Sequence, residues 1–256
     1  MKIHKIKNIF RISLALAKVN FNLRIEGSYL GVLWYLLNPL ILFAVLWFVK
    51  EAAFAEVQIN YYPLYLLIGI AGFNFFKQAI TSSIDAISSN YEYIKSINNI
   101  APETLVISAF IQAIFSHIFE FILIFGLAIY LKISLVGLLF YPVFFLIFVI
   151  LVLGICFIFA TIGVYVSDLN NVWIILSQLI MLATPIFYSI NPSSLIYKIN
   201  LANPLFYFLE TIRSIVITSK PPTLFIMLAL IIFSLLSFVI GILIFKKHQN
   251  KFAELL

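Results

Sequence analysis

Charged residues are scarce in this chain: Asp, Glu, Lys and Arg make up 10% of its 256 residues, whereas 64% of the residues are hydrophobic. A soluble domain carries about 25% charged residues, so this composition excludes that class. The apolar runs far exceed the ~10 alternating residues of an outer-membrane strand, which favours helices. At ~20 residues per span, the length allows about six or seven membrane helices and no soluble catalytic domain.

Cysteine is nearly absent, and the one present, Cys156, lies inside an apolar run. A single cysteine excludes an internal disulfide and argues against a cysteine-based metal site. The chain also lacks a Gly-rich phosphate loop and a Ser/His/Asp set. We therefore expect no catalytic residues, no metal and no cofactor on this chain. The basic N-terminus lacks the features of a cleaved signal peptide, so we expect it to be retained.

Basic residues cluster before the first apolar run and after the last one. The members of these two groups are Lys2, Lys5, Lys7, Arg11, Lys18, Arg24, Lys246, Lys247 and Lys251. An excess of Lys and Arg beside spans marks the cytoplasmic side. This pattern predicts two cytoplasmic termini and an even number of spans. The net charge of +6 then reflects topology and contact with anionic lipid rather than nucleic-acid binding.

The apolar runs predict an all-α integral membrane protein with six transmembrane helices in one domain, residues 1–256. The predicted spans, which together occupy residues 33–245, are 33–53, 61–84, 104–131, 136–166, 172–190 and 222–245. Residues 246–256 form a cytoplasmic tail in this scheme.

The longest connection, residues 191–221, contains an apolar stretch of about fifteen residues after Asn203. Such a stretch is too short to cross a bilayer comfortably. It predicts a re-entrant or interfacial helix on the outer side, with Glu210 and Arg213 on one face and able to pair. The alternative is a seventh span, which would place the basic C-terminus outside.

Residues 5–25 have the pattern of an amphipathic helix on the cytoplasmic membrane surface. Its polar face carries Lys7, Arg11, Lys18 and Asn22, and its apolar face carries Ile9, Ile12, Leu16, Val19 and Leu23. The pattern is consistent with anchoring to anionic lipid and with docking to a cytoplasmic partner. Both interpretations remain open at this point.

The predicted cytoplasmic connection at residues 88–102 is rich in apolar side chains for a linker. They are Tyr91, Tyr93, Ile94, Ile97 and Ile100. A short helix at 90–98 that contacts another subunit would use them. A loop folded onto its own protein is the alternative.

The segment that leads into the first span combines small and aromatic residues. Gly27 and Gly31 leave room for close backbone packing. Trp34 and Tyr35 suit the lipid headgroup boundary, and Pro39 predicts a kink in the span. This segment therefore predicts an interfacial helix that turns into the membrane.

Two sets of ionisable residues are candidates for chemistry. His117 and Glu120 lie three residues apart in the third span and could relay protons, bind a metal or form interhelical hydrogen bonds. Asp168 lies at the turn between the fourth and fifth spans, where its carboxylate could cap the helix that begins near Leu169 or couple to a cytoplasmic partner.

Four segments have motif-like sequences. They are Gly-Ser-Tyr-Leu-Gly-Val-Leu-Trp-Tyr-Leu-Leu-Asn-Pro at 27–39, Thr-Pro-Ile-Phe-Tyr at 184–188, Asn-Pro-Leu at 203–205 followed by Arg213, and Phe-Lys-Lys with Phe-Ala-Glu in the tail. In this order they resemble the membrane subunit of type-2 ABC exporters, in particular the polysaccharide exporters for O-antigen, capsule and teichoic acid. Two positions depart from that family. Ser167 stands where Arg frequently precedes Asp. Lys95 followed by Ile100-Ala-Pro102 stands where the family frequently has two basic residues and Phe-Pro.

The resemblance implies a homodimer with a passage between its copies, driven by two cytoplasmic ABC ATPase subunits that bind ATP and Mg²⁺. The implied substrate is a polysaccharide on undecaprenyl diphosphate, moved across the bacterial cytoplasmic (inner) membrane. The expected ATPase-docking residues are Lys7, Arg11, Lys18, Tyr93, Ile94, Lys95 and Ile97. The expected residues of the substrate path and its lipid diphosphate are Arg24, Gly27, Gly31, Trp34, Tyr35, Lys77, Tyr188 and Arg213.

Two other functions fit parts of the sequence. A permease of the same type for a small hydrophobic drug would share the fold. A proton-coupled carrier or membrane transferase would use His117, Glu120 and Asp168, and it would work without an ATPase.

Overall fold

A computed structural model of the protein describes residues 2–26, 29–53, 59–90 and 101–252. These residues form helices and connecting turns, with no β-strand among them. The α-helices are α1 (Lys2–Ile25), α2 (Trp34–Ala53), α3 (Tyr62–Ile84), α4 (Pro102–Tyr130), α5 (Val136–Tyr165), α6 (Leu169–Ala183), α7 (Leu195–Asn200), α8 (Pro204–Thr218) and α9 (Leu224–His248).

Five of the helices, α2, α3, α4, α5 and α9, are long and apolar enough to cross a membrane. They correspond to five of the six predicted spans. The other predicted span, 172–190, is a helix only as far as Ala183, and α6 has 15 residues. Its early end has a local cause: Pro185 disfavours helical geometry at Thr184, which adopts an extended conformation with φ −83° and ψ 139°.

Contacts between helix ends define two ends of the bundle. At one end, called the terminal end, Ser13 of α1 bonds to the carbonyl of Thr104 at the start of α4. At the same end, Tyr165, the last residue of α5, contacts His248, the last residue of α9. At the loop end, the hydroxyl of Tyr62 donates to the carbonyl of Phe187.

The segment that contains α6 extends between these two ends. Asn170 bonds to Asp85 at the terminal end of α3. The hydroxyl of Tyr65, near the loop end of α3, donates to the carbonyl of Tyr188 over 2.8 Å. Asp85 and Tyr65 are about 30 Å apart along α3 at 1.5 Å per residue. The segment from Asn170 to Tyr188 therefore covers about the same distance as a full span.

Helix α3 lies at the centre of the bundle and packs against α2, α4, α5, α6 and α8. Most of its side chains are buried. An aromatic cluster around Phe75 joins it to α4 and α5 through Phe110 and Phe148. The ring of Phe148 in turn stacks on Phe208 of α8 at 3.9 Å. This cluster fixes the position of α3, from which the candidate site is built.

Helices α5 and α9 cross at small residues. A Cβ atom at Gly241 would lie 2.1 Å from the carbonyl oxygen of Gly154. The hydroxyl of Ser237 also donates to the carbonyl of Leu151. Backbones in membrane helices approach this closely only where side chains are small, so these residues set the crossing point.

Helix α8 is largely buried against α3, α5 and α9. Asn203 caps its first turn by accepting from the amide of Leu205. The amide of Asn203 also donates to Thr184 over 2.8 Å, and Asn200 donates to the carbonyl of Ala183. This polar cluster holds the α7–α8 connection against the end of α6.

Helix α1 packs against α4 through small residues. Ser13 and Ala17 are fully buried, four residues apart on one face. Val19 and Leu23, which belong to the predicted apolar face, are more than half exposed. The predicted apolar face is therefore only partly packed against the protein, since Ile9, Ile12 and Leu16 are half-buried.

Candidate functional site

A stripe of polar side chains runs along one face of α3. The members of the stripe recur once per helical turn and are Asn74, Lys77, Gln78, Thr81, Ser82 and Asp85. They face a second polar stripe on α4, made of Ser108, Gln112, Ser116 and Glu120. The amide of Gln78 donates to Ser116 across the gap at 3.1 Å. Polar stripes inside a membrane bundle border a cavity or a passage in preference to lipid.

The two stripes border two adjacent cavities. The central cavity, of about 450 Å³, lies between α2, α3 and α4. Its lining residues are Gly31, Trp34, Tyr35, Asn38, Pro39, Asn74, Lys77, Gln78, Thr81, Ser82, Ser116 and Glu120. A second cavity of about 340 Å³ continues toward the terminal end, bordered by α1, α3 and α4, and shares Thr81 and Ser82 with the first. The polar route follows α3 from Asp85 to Asn74, about 16 Å.

Four of the predicted path residues meet at the central cavity: Gly31, Trp34, Tyr35 and Lys77. The Lys77 side chain is half-buried, and among the described residues no carboxylate pairs with it. A cation in that position is available to an anionic group of a ligand.

Tyr35 is held at the cavity wall by aromatic stacking. Its ring lies 5.2 Å from that of Phe21 on α1 and 5.8 Å from that of Phe119 on α4. Its hydroxyl is buried and has no hydrogen-bond partner in the described part of the chain. A buried hydroxyl without a partner costs free energy. In this protein the hydroxyl belongs to a residue that lines the central cavity.

Gly27 lies outside the described residues, as does the side chain of Arg24. Tyr188 lines a different cavity, of about 430 Å³ and mostly apolar, at the loop end between α2, α3 and the α6–α7 connection. Its hydroxyl donates to the carbonyl of Ala183, 2.9 Å away, at the end of α6. The central cavity therefore gathers only part of the predicted path.

Arg213 lies away from the central cavity, buried on α8. Its guanidinium donates to the carbonyls of Pro185, Tyr65 and Ile186 at 2.6, 3.1 and 2.9 Å and lies 3.4 Å from the Tyr65 ring centre. The predicted pairing with Glu210 is wrong, because the guanidinium turns toward these main-chain acceptors. Arg213 thus joins α8, α3 and the segment after α6.

His117 and Glu120 form a buried network at the wall of the central cavity. His117 Nδ1 lies 2.9 Å from Glu120 Oε2, and Nε2 lies 2.8 Å from the hydroxyl of Tyr141 on α5. Asn74 donates to Glu120 Oε1 at 3.1 Å. Of the alternatives considered for this pair, interhelical hydrogen bonding is confirmed. Within the described ranges, no group of three or more His, Cys, Asp and Glu residues could hold a metal ion.

The predicted capping role of Asp168 is wrong. Its side chain accepts no hydrogen bond from the first turn of α6; its main-chain carbonyl accepts from the amides of Asn171 and Val172 instead. Its backbone angles, φ −88° and ψ 8°, are not the extended ones from which a side chain reaches the helix amides.

Comparison with known proteins identifies the family. The family described as "ABC-2 type transporter" matches residues 13–217 of this chain. The chain belongs to the ABC-2 type transporter family. It is 26% identical over 259 residues to an O-antigen export system permease protein RfbA of Klebsiella pneumoniae, covering 97% of this chain and 96% of that protein. A permease of the same name from Myxococcus xanthus is 23% identical, with 94% of each chain covered.

As an ABC-2 permease, the chain is a multi-pass membrane protein and a transport subunit rather than an enzyme. The family implies partnership with an ABC ATPase subunit. Two of its motif-like segments meet at the loop end. Thr184 accepts from Asn203, and the carbonyl of Pro185 accepts from Arg213. These two contacts join segments that are far apart in the sequence.

The docking residues predicted for this permease divide into two groups. The side chains of Lys7, Arg11 and Lys18 are exposed on α1. Tyr93, Ile94, Lys95 and Ile97 lie outside the described residues. Leu16 and Asn20 of α1 border the same cavity as Asn90, and Ser13 bonds to the carbonyl of Thr104. Residues on both sides of 91–100 therefore lie next to α1.

Sequence reasoning singled out Lys77 but missed the rest of the polar stripe on α3. The signal was present in the spacing of the polar residues from Asn74 to Asp85, which repeats every three to four residues. Mean hydropathy over the span 61–84 hides this pattern, because apolar residues on the other faces dominate the average.

Proposed function

We propose that this ABC-2 permease is the membrane subunit of an ATP-driven exporter of polysaccharide linked to undecaprenyl diphosphate, of the O-antigen or teichoic acid kind. The curated relatives are O-antigen export permeases that match over nearly their whole length. ATP and Mg²⁺ bind to the partner ATPase in this proposal, and this chain holds no cofactor. Two copies of the permease and two ATPase subunits form the complex, with a passage between the permease copies.

The observation that carries the proposal is the lining of the central cavity. Besides two aromatic rings from Trp34 and Tyr35, eight of its twelve lining residues carry amide, hydroxyl, ammonium or carboxylate groups. Sugars need hydrogen-bonding groups for their hydroxyls and flat apolar faces for their rings. A small hydrophobic drug needs an apolar pocket with few polar groups, so this lining favours the glycan over the drug.

Lys77 is the proposed contact for the lipid diphosphate, since its ammonium lines the cavity without a carboxylate partner among the described residues. Arg24 remains a second proposed contact on the preceding segment, and Gly27 with Gly31 is proposed to allow close packing there. Tyr188 and Arg213 are proposed to shape the loop end of the path, because their polar groups bond to the main chain.

The lipid-diphosphate role of Lys77 is tested by export in cells. Lys77→Gln keeps a polar side chain of similar length but removes the charge, and we expect the surface glycan to fall about tenfold or more, as for the loss of one charge-assisted contact. Lys132→Gln, exposed at the loop end, is the matched control and leaves export unchanged. Normal export by Lys77→Gln would remove Lys77 from the diphosphate site.

We also propose six crossings, with both termini cytoplasmic, in the inner membrane of a bacterium. The distance that the segment 170–188 covers supports α6 as the fifth of six spans, and the burial of α8 at the loop end supports a re-entrant α7–α8 hairpin. Cysteines introduced at Lys220 and Lys247, both exposed, test this topology. An impermeant maleimide on intact spheroplasts should label the first and not the second, whereas labelling of the second would contradict it.

ATPase docking is proposed at Lys7, Arg11 and Lys18 together with Tyr93, Ile94, Lys95 and Ile97. The contact of α1 with residues on both sides of 91–100 supports one combined surface. Replacing Arg11 and Lys18 with Glu should weaken copurification of the ATPase about tenfold or more, a loss of about 1.4 kcal/mol. Replacing Tyr93, Ile94 and Ile97 with Ala should do the same. Lys132→Glu makes one such charge reversal at the other end, and equal ATPase recovery from all variants would exclude this surface.

A further inference from the structure

The hydrogen bonds around Glu120 leave part of its carboxylate free. When the hydroxyl of Tyr141 donates to His117 Nε2, the ring proton is on Nδ1 and is donated to Glu120 Oε2. Asn74 donates to Oε1. Each carboxylate oxygen can accept about two hydrogen bonds, so each has one bond from the protein and capacity for another. Glu120 also lines the central cavity.

The network holds this carboxylate in a fixed position. Glu120 and His117 are 6% and 2% exposed, and the His117 ring stacks on Phe145 at 4.3 Å. Three helices take part, because Asn74 lies on α3, His117 and Glu120 on α4, and Tyr141 on α5. Such a preorganised acceptor loses little side-chain entropy when a ligand donates to it.

We propose that Glu120 is a sugar-recognition residue, whose carboxylate accepts hydrogen bonds from the hydroxyls of the sugar nearest the lipid diphosphate. This inference rests on the proposed function. The groups around Glu120 fit a polyhydroxylated ring: the amides of Asn38 and Gln78 offer donors and acceptors, and Trp34 offers an aromatic face. The buried hydroxyl of Tyr35 has no partner among the described residues and offers one more hydrogen-bonding group.

The spacing along α3 matches a diphosphate followed directly by a sugar. Asn74, which bonds to Glu120, precedes Lys77 by three residues, a rise of about 4.5 Å. In this proposal a diphosphate bound at Lys77 has its sugar on the side of Asn74 and Glu120. The cavity volume of about 450 Å³ lies within the range of small-molecule sites, about 300–1,000 Å³.

The proposal predicts discrimination between lipids with and without a sugar. A site built to bond hydroxyl groups rejects a ligand that lacks them, because its polar groups then stay unpaired. The full-length permease in phosphatidylcholine nanodiscs is titrated with undecaprenyl diphosphate carrying one hexose and with undecaprenyl diphosphate alone. We expect the wild-type protein to bind the hexose-bearing lipid about tenfold more tightly.

Three variants separate the roles of the residues. Glu120→Gln should still bind the bare lipid and lose the preference for the hexose. Lys77→Gln should weaken binding of both lipids and keep the preference. Glu210→Gln makes the same chemical change on α8, outside the cavity, and should behave as wild type. Asn38→Ala removes an exposed amide without disturbing the hydrogen bonds of Glu120, and it should reduce the preference for the hexose. It therefore tests sugar recognition independently if Glu120→Gln proves unstable.

Other outcomes overturn the inference. A preference retained by both Glu120→Gln and Asn38→Ala would exclude sugar recognition in this cavity while leaving the exporter function intact. Absence of binding of either lipid to the wild type would contradict the proposed substrate itself. Phosphatidylglycerol also joins a phosphate to hydroxyl groups. If the hexose preference disappears in nanodiscs that contain phosphatidylglycerol, the cavity binds the headgroup of an ordinary membrane lipid and the inference fails.

Discussion

Arg213 shows how a single side chain can join three parts of a membrane bundle. It is buried, and its guanidinium bonds to carbonyls of α3 and of the segment after α6. Gly69 makes room for it, since a Cβ there would lie 2.8 Å from Nη2 of Arg213. The sequence showed an arginine within an apolar stretch. Its acceptors could not be predicted, because they are main-chain groups far away in the sequence.

Arg213→Met tests this structural role. The substitution leaves three carbonyls without their charged donor, and we expect a loss of at least about 3 kcal/mol in the free energy of unfolding. The midpoint of thermal unfolding in detergent should fall clearly, whereas Lys220→Met, at an exposed position of the same end, leaves it unchanged. If Arg213→Met kept wild-type stability and lost affinity for the lipid diphosphate, the ligand-binding role would replace the structural one.

At the scale of helices, the positions of α2 to α5 and α9 follow from apolar runs of sufficient length. The early end of α6 follows from Pro185, whose effect on Thr184 was readable in principle. The close crossing of α5 and α9 was not predicted, because Gly154 and Gly241 are 87 positions apart in the sequence. The polar stripe on α3 was readable from spacing alone, but its facing stripe on α4 depends on how the helices pack.

A pair of glycine substitutions tests the crossing of α5 and α9. A methyl group at Gly241 would collide with the main chain at Gly154, whereas a methyl group at Gly126 of α4 would meet no atom within 4 Å. We expect Gly241→Ala to cost about 1–3 kcal/mol through overpacking and Gly126→Ala to stay within about 0.5 kcal/mol of wild type. Thermal unfolding of the purified variants measures both. Equal stability of the two would mean that the helices do not approach this closely.

For the whole molecule, family membership and the structure answer different questions. The match over residues 13–217 establishes the transporter class, which the motif-like segments had already indicated. The structure adds the place where Gly31, Trp34, Tyr35 and Lys77 meet, and it adds Glu120 and its network, whose role the sequence left open. The ATPase and the second permease copy belong to the proposed complex, and contacts with them would depend on surfaces that one sequence does not reveal.

The most direct test of the central claim is transport by the purified complex. The permease and its ATPase are reconstituted into proteoliposomes with a fluorescent glycan on undecaprenyl diphosphate, and the fraction of glycan that reaches the opposite leaflet is measured. We predict translocation only when ATP, Mg²⁺ and the ATPase are all present, and a strong reduction with Lys77→Gln. Translocation by the permease alone under a proton gradient, or none with the complete complex, would contradict the account.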